Sequence, residues 1–374
     1  MRRPDAPEAG PSIERVEAHF PVYEIRTDGD RLEYYGDPRG HPEGVVRELW
    51  PAFREDGYEI RMTRQHGEFV LVAEPVTVGV DGVPWTNVIL LAATVASTLF
   101  AGAFWYYIDP FTEPWRIWQA WPFVAAILVP LGIHELGHYA MSRYHRVQAS
   151  LPYFLPVPTL IGTMGAVIKM EGRMPDRRAL FDIGVAGPLA GLVAAIVVAV
   201  IGLHLPPLEV PSAVLQDPDA VELRLGYPPL LEALAALTGQ PLYYDDPGVV
   251  VNPVVIGAWV GLLVTFLNLI PVGQLDGGHM TRAMLGPVQE TLGALMPGVL
   301  FGLAAYLHFW GDYGFQAVGI WLIWGVFSAL LAFVGPAQPI DDDGLGWKRQ
   351  LLGVLTFLLG ALCFIPVPVE IVEL

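Results

Sequence analysis

The chain of 374 residues contains one cysteine, Cys363, and only two lysines, Lys169 and Lys348. A lone cysteine permits no internal disulfide and no cysteine-based zinc site, and in the last apolar run it reads as a packing residue. Basic residues are scarce, 21 against 38 acidic ones, for a net charge of −17. That balance excludes nucleic acid as a partner. No fixed-period repeat is visible. Arg2-Arg3 is followed by Pro4, Asp5 and Glu8 rather than an apolar stretch, so no signal peptide is expected there. Charge of either sign is sparse at 16%, whereas 53% of residues are hydrophobic, which excludes an ordinary soluble protein.

What is present is a series of apolar runs of ~20 residues, each enough for ~30 Å of hydrocarbon. About seven spans can be read by length: Trp85–Tyr107, Trp118–Tyr144, Phe181–His204, Pro253–Leu269, Thr291–Phe309, Ala317–Val334 and the short Leu351–Phe364. Ahead of them, residues 1–83 read as a small soluble α+β domain. After a disordered start (Pro4 to Pro11), strands are expected at Phe20–Thr27 and Arg31–Tyr35, a helix near Glu43–Arg54, and strands at Tyr58–Thr63 and Glu68–Ala73. The order ββαββ suggests a four-stranded sheet carrying one helix. The expected fold is therefore a polytopic α-helical membrane protein with an N-terminal α+β domain. Its divisions are 1–83, a six-span core at 84–335, and a linker with an additional span at 336–374.

Charge between the spans sets orientation. Arg143, Arg146, Lys169, Arg173, Arg177 and Arg178 cluster between the second and third spans. Leu205–Asn252 instead carries Glu209, Asp217, Asp219, Glu222, Glu232, Asp245 and Asp246 against Arg224. The positive-inside rule puts the basic cluster in the cytoplasm, the N-terminal domain with it, and the acidic loop outside.

The second span contains His134-Glu135-Leu136-Gly137-His138. Imidazoles at i and i+4 share one helix face and can hold one Zn²⁺, while the glutamate can act as base toward a water. Charge at membrane depth is costly, ~2.5–3.5 kcal/mol for a central residue on insertion scales, so it marks function. A catalytic zinc takes three protein ligands, so a third must come from elsewhere. The best candidate is Asp276, in the segment from Asn268 to Gly278. Pro271, Gly273, Gly277 and Gly278 break the helix there, and irregular backbone at this depth requires protein or a water-filled cavity around it.

The pairing of His-Glu-x-x-His with Asn-x-x-Pro-x-x-x-Leu-Asp-Gly resembles the site-2 protease family of intramembrane zinc metalloproteases. The resemblance implies zinc on His134, His138 and Asp276, water activation by Glu135, and support of the oxyanion by Asn268. Leu155–Ile168 and Asp182–Gly191 are similar to the branch without a PDZ domain found in plastids, cyanobacteria and archaea. The acidic, lysine-poor composition resembles that of proteins from salt-loving archaea. The match covers roughly Trp118–Gly286. The expected partners are transmembrane protein substrates and the lipid bilayer, with a regulatory partner possible for the N-terminal domain.

These residues also have ordinary readings. Asp276-Gly277 alone is a turn signal, and Asn268 alone an interhelical hydrogen-bonding group. His279 is either an extra ligand or, as favoured here, a water-facing polar residue. Asp182 reads as an N-cap, and Gly187-Pro188 with Gly191 as a site of close helix approach. Gly162, Thr163, Met164 and Gly165 read either as a turn-rich loop or as a short membrane-associated strand whose free edge pairs with substrate. Rival functions are a CAAX-processing zinc protease, which needs a glutamate third ligand not found here, and a metal-ion transporter or non-catalytic zinc protein, which needs no general base.

Overall fold

The computed structural model describes residues 10–76, 82–171, 173–217 and 221–373. Most of the expected disordered start, together with Arg2, Arg3 and Asp219, lies outside them. The chain divides into two compact units, Met1–Gly79 and Val80–Leu374.

The first unit follows the alternation of its apolar residues. A short helix α1 (Ile13–Glu17) precedes β1 (Val22–Asp28), β2 (Arg31–Gly36), α2 (Pro42–Glu55), β3 (Tyr58–Gln65) and β4 (Glu68–Pro75). All pairings are antiparallel in the order β1-β2-β4-β3. Helix α2 opens with Pro42 at its first turn, where the missing N–H costs nothing, and buries Val45, Val46, Leu49 and Phe53. Tyr34 meets Phe53 edge to face with ring centroids 5.5 Å apart, and burial pushes the Tyr34 phenol up.

The second unit is helical and apolar. Its long helices are α3 (Trp85–Trp105), α4 (Trp121–Tyr144, entered through a 3-10 turn from Pro114), α5 (Arg177–His204), and two later ones. Between α5 and α8 (Pro253–Asn268) lie α6 (Ser212–Leu215) and α7 (Pro229–Thr238). Beyond α8 come α9 (Asp276–Leu285), α10 (Val288–Phe309), α11 (Phe315–Val334) and α12 (Trp347–Ala361). Among the described residues, five helices are long and apolar enough to cross a membrane: α3, α4 with its 3-10 entry, α5, α10 and α11. Helices α8 and α12 are shorter, at 16 and 15 residues. Large apolar side chains such as Val193, Val197, Ile201 and Phe333 are exposed, which is the burial pattern of a lipid-facing surface. Exposed tryptophans (Trp85, Trp121, Trp310, Trp347) sit at helix ends, as an interfacial aromatic belt does.

Helices α4, α5 and α8 form the centre, packing through Ile127, Leu131, Leu192, Ala195, Leu262 and Leu263. Two of them begin at a side-chain cap. Asp176 caps α5 by accepting from the Ala179 N–H at 2.7 Å, and Asn252 caps α8 ahead of Pro253. The structure thus corrects the reading of Asp182, which lies inside α5. There it accepts two hydrogen bonds from Arg349 of α12 (2.7 and 2.8 Å) and lies 3.0 Å from His145 Nε2. The stretch Leu205–Asn252 is also more than a loop, since α7 buries Leu231 and Ala235 in the central core.

Short strands complete the unit. Between α4 and α5, β5 (Gln148–Ala149) pairs with β8 (Met170–Glu171), and β6 (Tyr153–Pro156) pairs with β7 (Thr163–Val167). The β6–β7 hairpin lies along α3. Asn87 donates to the Leu151 and Pro152 carbonyls, Ser97 to Gly162, and Trp105 to Leu160. Those anchors span most of α3, about 27 Å at ~1.5 Å per residue, so the hairpin follows nearly the whole helix. Strand β9 (Met174–Asp176) pairs in parallel with β13 (Pro339–Asp341). Strand β10 (Leu208–Glu209) pairs with β12 (Val249–Val250), and β11 (Val221–Leu225) with β14 (Val369–Glu373).

Candidate metal centre

The helical period places His134 and His138 on the face of α4 that packs on α5, and both are buried. Asp276 arrives at the same depth because α8 ends at Asn268 and the chain turns through Pro271 and Gly273 before α9 begins. A side chain at Gly277 would collide with the Leu269 carbonyl, so this turn needs glycine beside the aspartate.

The three side chains converge. His134 Nε2 and His138 Nε2 lie 3.1 Å apart. Asp276 Oδ2 is 3.1 Å from His134 Nε2, and Asp276 Oδ1 is 3.1 Å from His138 Nε2. Among the described residues this is the one cluster of three potential metal ligands. Tetrahedral zinc with bonds of ~2.0–2.1 Å separates neighbouring donor atoms by about 3.3 Å, close to the spacing of the two nitrogens and of each nitrogen from its facing carboxylate oxygen, and one atom from each residue lies within 4.8 Å of the others, so the cluster suits the ion. Proton placement fits as well. His138 Nδ1 is 2.7 Å from the Ile183 carbonyl, which only accepts, so Nδ1 carries the hydrogen and Nε2 of the neutral ring presents a lone pair. Two nitrogens and one carboxylate oxygen are a donor set that suits zinc.

The neighbours hold this arrangement. The Ile168 amide, just past β7, hydrogen-bonds to the Glu135 carboxylate. Asn268 directs its side-chain amide at the cluster, with Nδ2 3.4 Å from His134 Nε2. Gly191 faces His134, where an added Cβ would lie 2.9 Å from the histidine Cβ. Gly187 faces His138 in the same way. Their spacing is the small-xxx-small signal of close helix packing, and the structure adds what that packing admits. Sequence reasoning had no signal for the Ile168 or Ile183 backbone groups.

His279 is neither a ligand nor water-facing. It is 2% exposed, and its Nδ1 receives the Ala337 amide from the segment after α11. Of the residues read as a substrate strand, Gly162 and Thr163 are buried, Gly165 is half-buried, and Met164 is 71% exposed. They lie at the turn and start of β7, and among the described residues β7 pairs with β6 alone.

A buried His-His-Asp cluster with a glutamate beside it, set among apolar helices, offers the ligands and the base that zinc-dependent hydrolysis needs. Residues 122–296 match Peptidase family M50. It is 33% identical over 72% of its length to the probable zinc metalloprotease EGY1, chloroplastic, of Arabidopsis thaliana, covering 48% of that protein. It is 30% identical over 64% of its length to probable zinc metalloprotease EGY2, chloroplastic, of Oryza sativa subsp. indica, covering 41% of it. The probable zinc metallopeptidase EGY3, chloroplastic, of Arabidopsis thaliana is 26% identical over 74% of the chain and 49% of its own length. The chain thus spans about half the length of these relatives. No solved structure matches it. The family and the donor set together identify the cofactor as zinc.

Proposed function

We propose that the chain is an intramembrane zinc metalloprotease that hydrolyses peptide bonds within or near transmembrane segments of membrane-protein substrates. The observation that carries this reading is the meeting of three side chains from α4 and α9, each imidazole Nε2 3.1 Å from the other and from one oxygen of Asp276, with Glu135 next to them and buried.

His134, His138 and Asp276 would hold the zinc. When bound, zinc brings the pKa of a water toward ~7 and polarises a carbonyl. Glu135 takes a proton from the attacking water and delivers it to the leaving amine, while the Ile168 amide fixes its carboxylate. Asn268 donates its amide to the carbonyl oxygen as negative charge develops. A substrate helix resists this chemistry because its carbonyls are hydrogen-bonded internally. Unwound and extended, it pairs with the free edge of β7, close to Glu135.

Seven crossings, by α3, α4, α5, α8, α10, α11 and α12, agree with the charge pattern. Arg143, Arg146, Arg177, Arg178 and Arg349 lie near the α4 C-terminal end, and the positive-inside rule supports a cytoplasmic side for that end and for the active-site opening. Span parity assigns the N-terminal domain to the same side, where a regulatory partner would reach it. Residues 84–335 form the protease core, and 336–374 add a strap and a final span. The alternative of a metal-ion transporter is not favoured, since transport needs no base and Glu135 stands beside the ligands.

Co-expression with candidate single-span proteins tests the reading. Wild type releases a cytoplasmic fragment, and Glu135→Gln releases none while retaining zinc. Equal release by both proteins overturns it.

A further inference from the structure

A cavity of about 320 Å³ lies between the tip of the β6–β7 hairpin, the end of α3, the first half of α8 and the β11–β14 pair. Trp105, Leu160, Thr163, Leu223, Leu225 and Trp259 are among its walls. The lining is almost wholly apolar. Its volume is at the low end for ligand cavities, which begin at about 300 Å³, and suits a large side chain rather than a helix.

Position relates this cavity to the metal centre. Strand β7 runs back from Val167, next to the Ile168 amide that holds Glu135, to Thr163, which lines the cavity. Five residues of extended chain cover about 17 Å at ~3.3 Å each. A segment paired along the β7 edge with one peptide bond at Glu135 therefore brings a residue about five positions away to the cavity mouth. The walls are fixed from several directions. Trp105 donates to Leu160 at 2.8 Å and Trp259 to the Gly226 carbonyl at 2.6 Å, so both indoles have spent their N–H groups on backbone and present apolar faces.

We propose that this cavity is a substrate subsite. It accepts one bulky apolar side chain of the substrate's transmembrane segment, about five residues from the scissile bond toward the Trp105 end of α3. The inference rests on the protease reading above and adds a determinant of substrate choice. Lipid tails are as apolar as the pocket, so the preference arises from packing. The expected preference is then at the lower end of hydrophobic-pocket discrimination, about tenfold.

The test uses single-span substrates carrying alanine, leucine or phenylalanine at each position from three to seven residues beyond the cut, with the purified full chain in vesicles. Wild type favours leucine or phenylalanine over alanine at one of these positions by about tenfold in kcat/KM. Leu225→Trp, which fills the cavity, reduces that ratio to within about twofold. Independently of cleavage, a photoreactive diazirine leucine at the same position, bound to Glu135→Gln protein, attaches to the Leu160–Thr163 or Leu223–Leu225 segments. A flat substrate profile overturns the proposal, as does attachment elsewhere. Labelling of the cavity by a photoreactive acyl lipid, undiminished by substrate, also overturns it. If no substrate is cleaved but attachment occurs in the cavity, the protease reading fails and the subsite stands as a binding site.

Discussion

Gly187 of α5 occupies the point where any larger residue would overlap the His138 imidazole, and Gly191, one turn on, does the same for His134. The two metal-binding candidates of α4 are thus seated in notches of α5. Gly187→Ala is expected to displace the His138 ring and lower cleavage about 100-fold, the cost of an ångström-scale misplacement. Zinc content falls with it, and helix content by circular dichroism does not. Gly302→Ala on α10, where a Cβ meets nothing within 4 Å, is the neutral control.

Asn268 stands 3.4 Å from His134 Nε2 but outside the ligand triangle. If it serves the developing oxyanion, Asn268→Ala lowers kcat by about 10²–10³-fold with little change in KM. Zinc stoichiometry is unchanged. Loss of zinc in this variant would assign Asn268 to metal binding instead.

The segment after α11 holds α9 from outside. Gln274 donates to Gly335, Ala337 to His279, Arg282 Nε to Gln338, and Asp342 binds Arg177 at 2.7 Å and Arg282 at 3.1 Å. Burial works to raise the Asp342 carboxyl, but hydrogen bonds from Arg177 and Arg282 hold it below the usual carboxylate range. A depressed folded-state pKa contributes stability that is present above the ordinary Asp value of ~3.9 and lost as pH falls through the lowered value. Asp342 is half exposed, so the contribution is small. Asp342→Asn should cost about 1 kcal/mol at neutral pH, and its unfolding should converge with wild type in acid. Thermal unfolding in detergent between pH 7 and 3 measures both.

Much of this was legible in the sequence, for identifiable reasons. Apolar run length alone located α3, α4, α5, α8, α10 and α11 to within a few residues, because the bilayer imposes a length that no soluble core demands. Period-two alternation located β1 to β4. The His-Glu-x-x-His face needs only helical geometry, so the pairing of His134 with His138 followed directly. Long-range contacts were not legible. His279 was read as wet because its cover, Ala337, lies 58 positions away. Apolar counting starts α5 at Phe181 and so makes Asp182 a cap, whereas the turn Arg177–Leu180 is already helical behind Asp176. Helix α7 was missed because its apolar stretch sits inside acidic flanks and is too short to register as a span.

On the proposed function, His134, His138 and Asp276 bind one zinc ion together. Metal content of the purified full chain, measured by elemental analysis after dialysis against a weak chelator, tests it most directly. Wild type and Glu135→Gln should each retain one zinc per chain, and His134→Ala, His138→Ala and Asp276→Ala should each lose it. Full retention of zinc by a correctly folded Asp276→Ala protein would show that the aspartate is not a ligand.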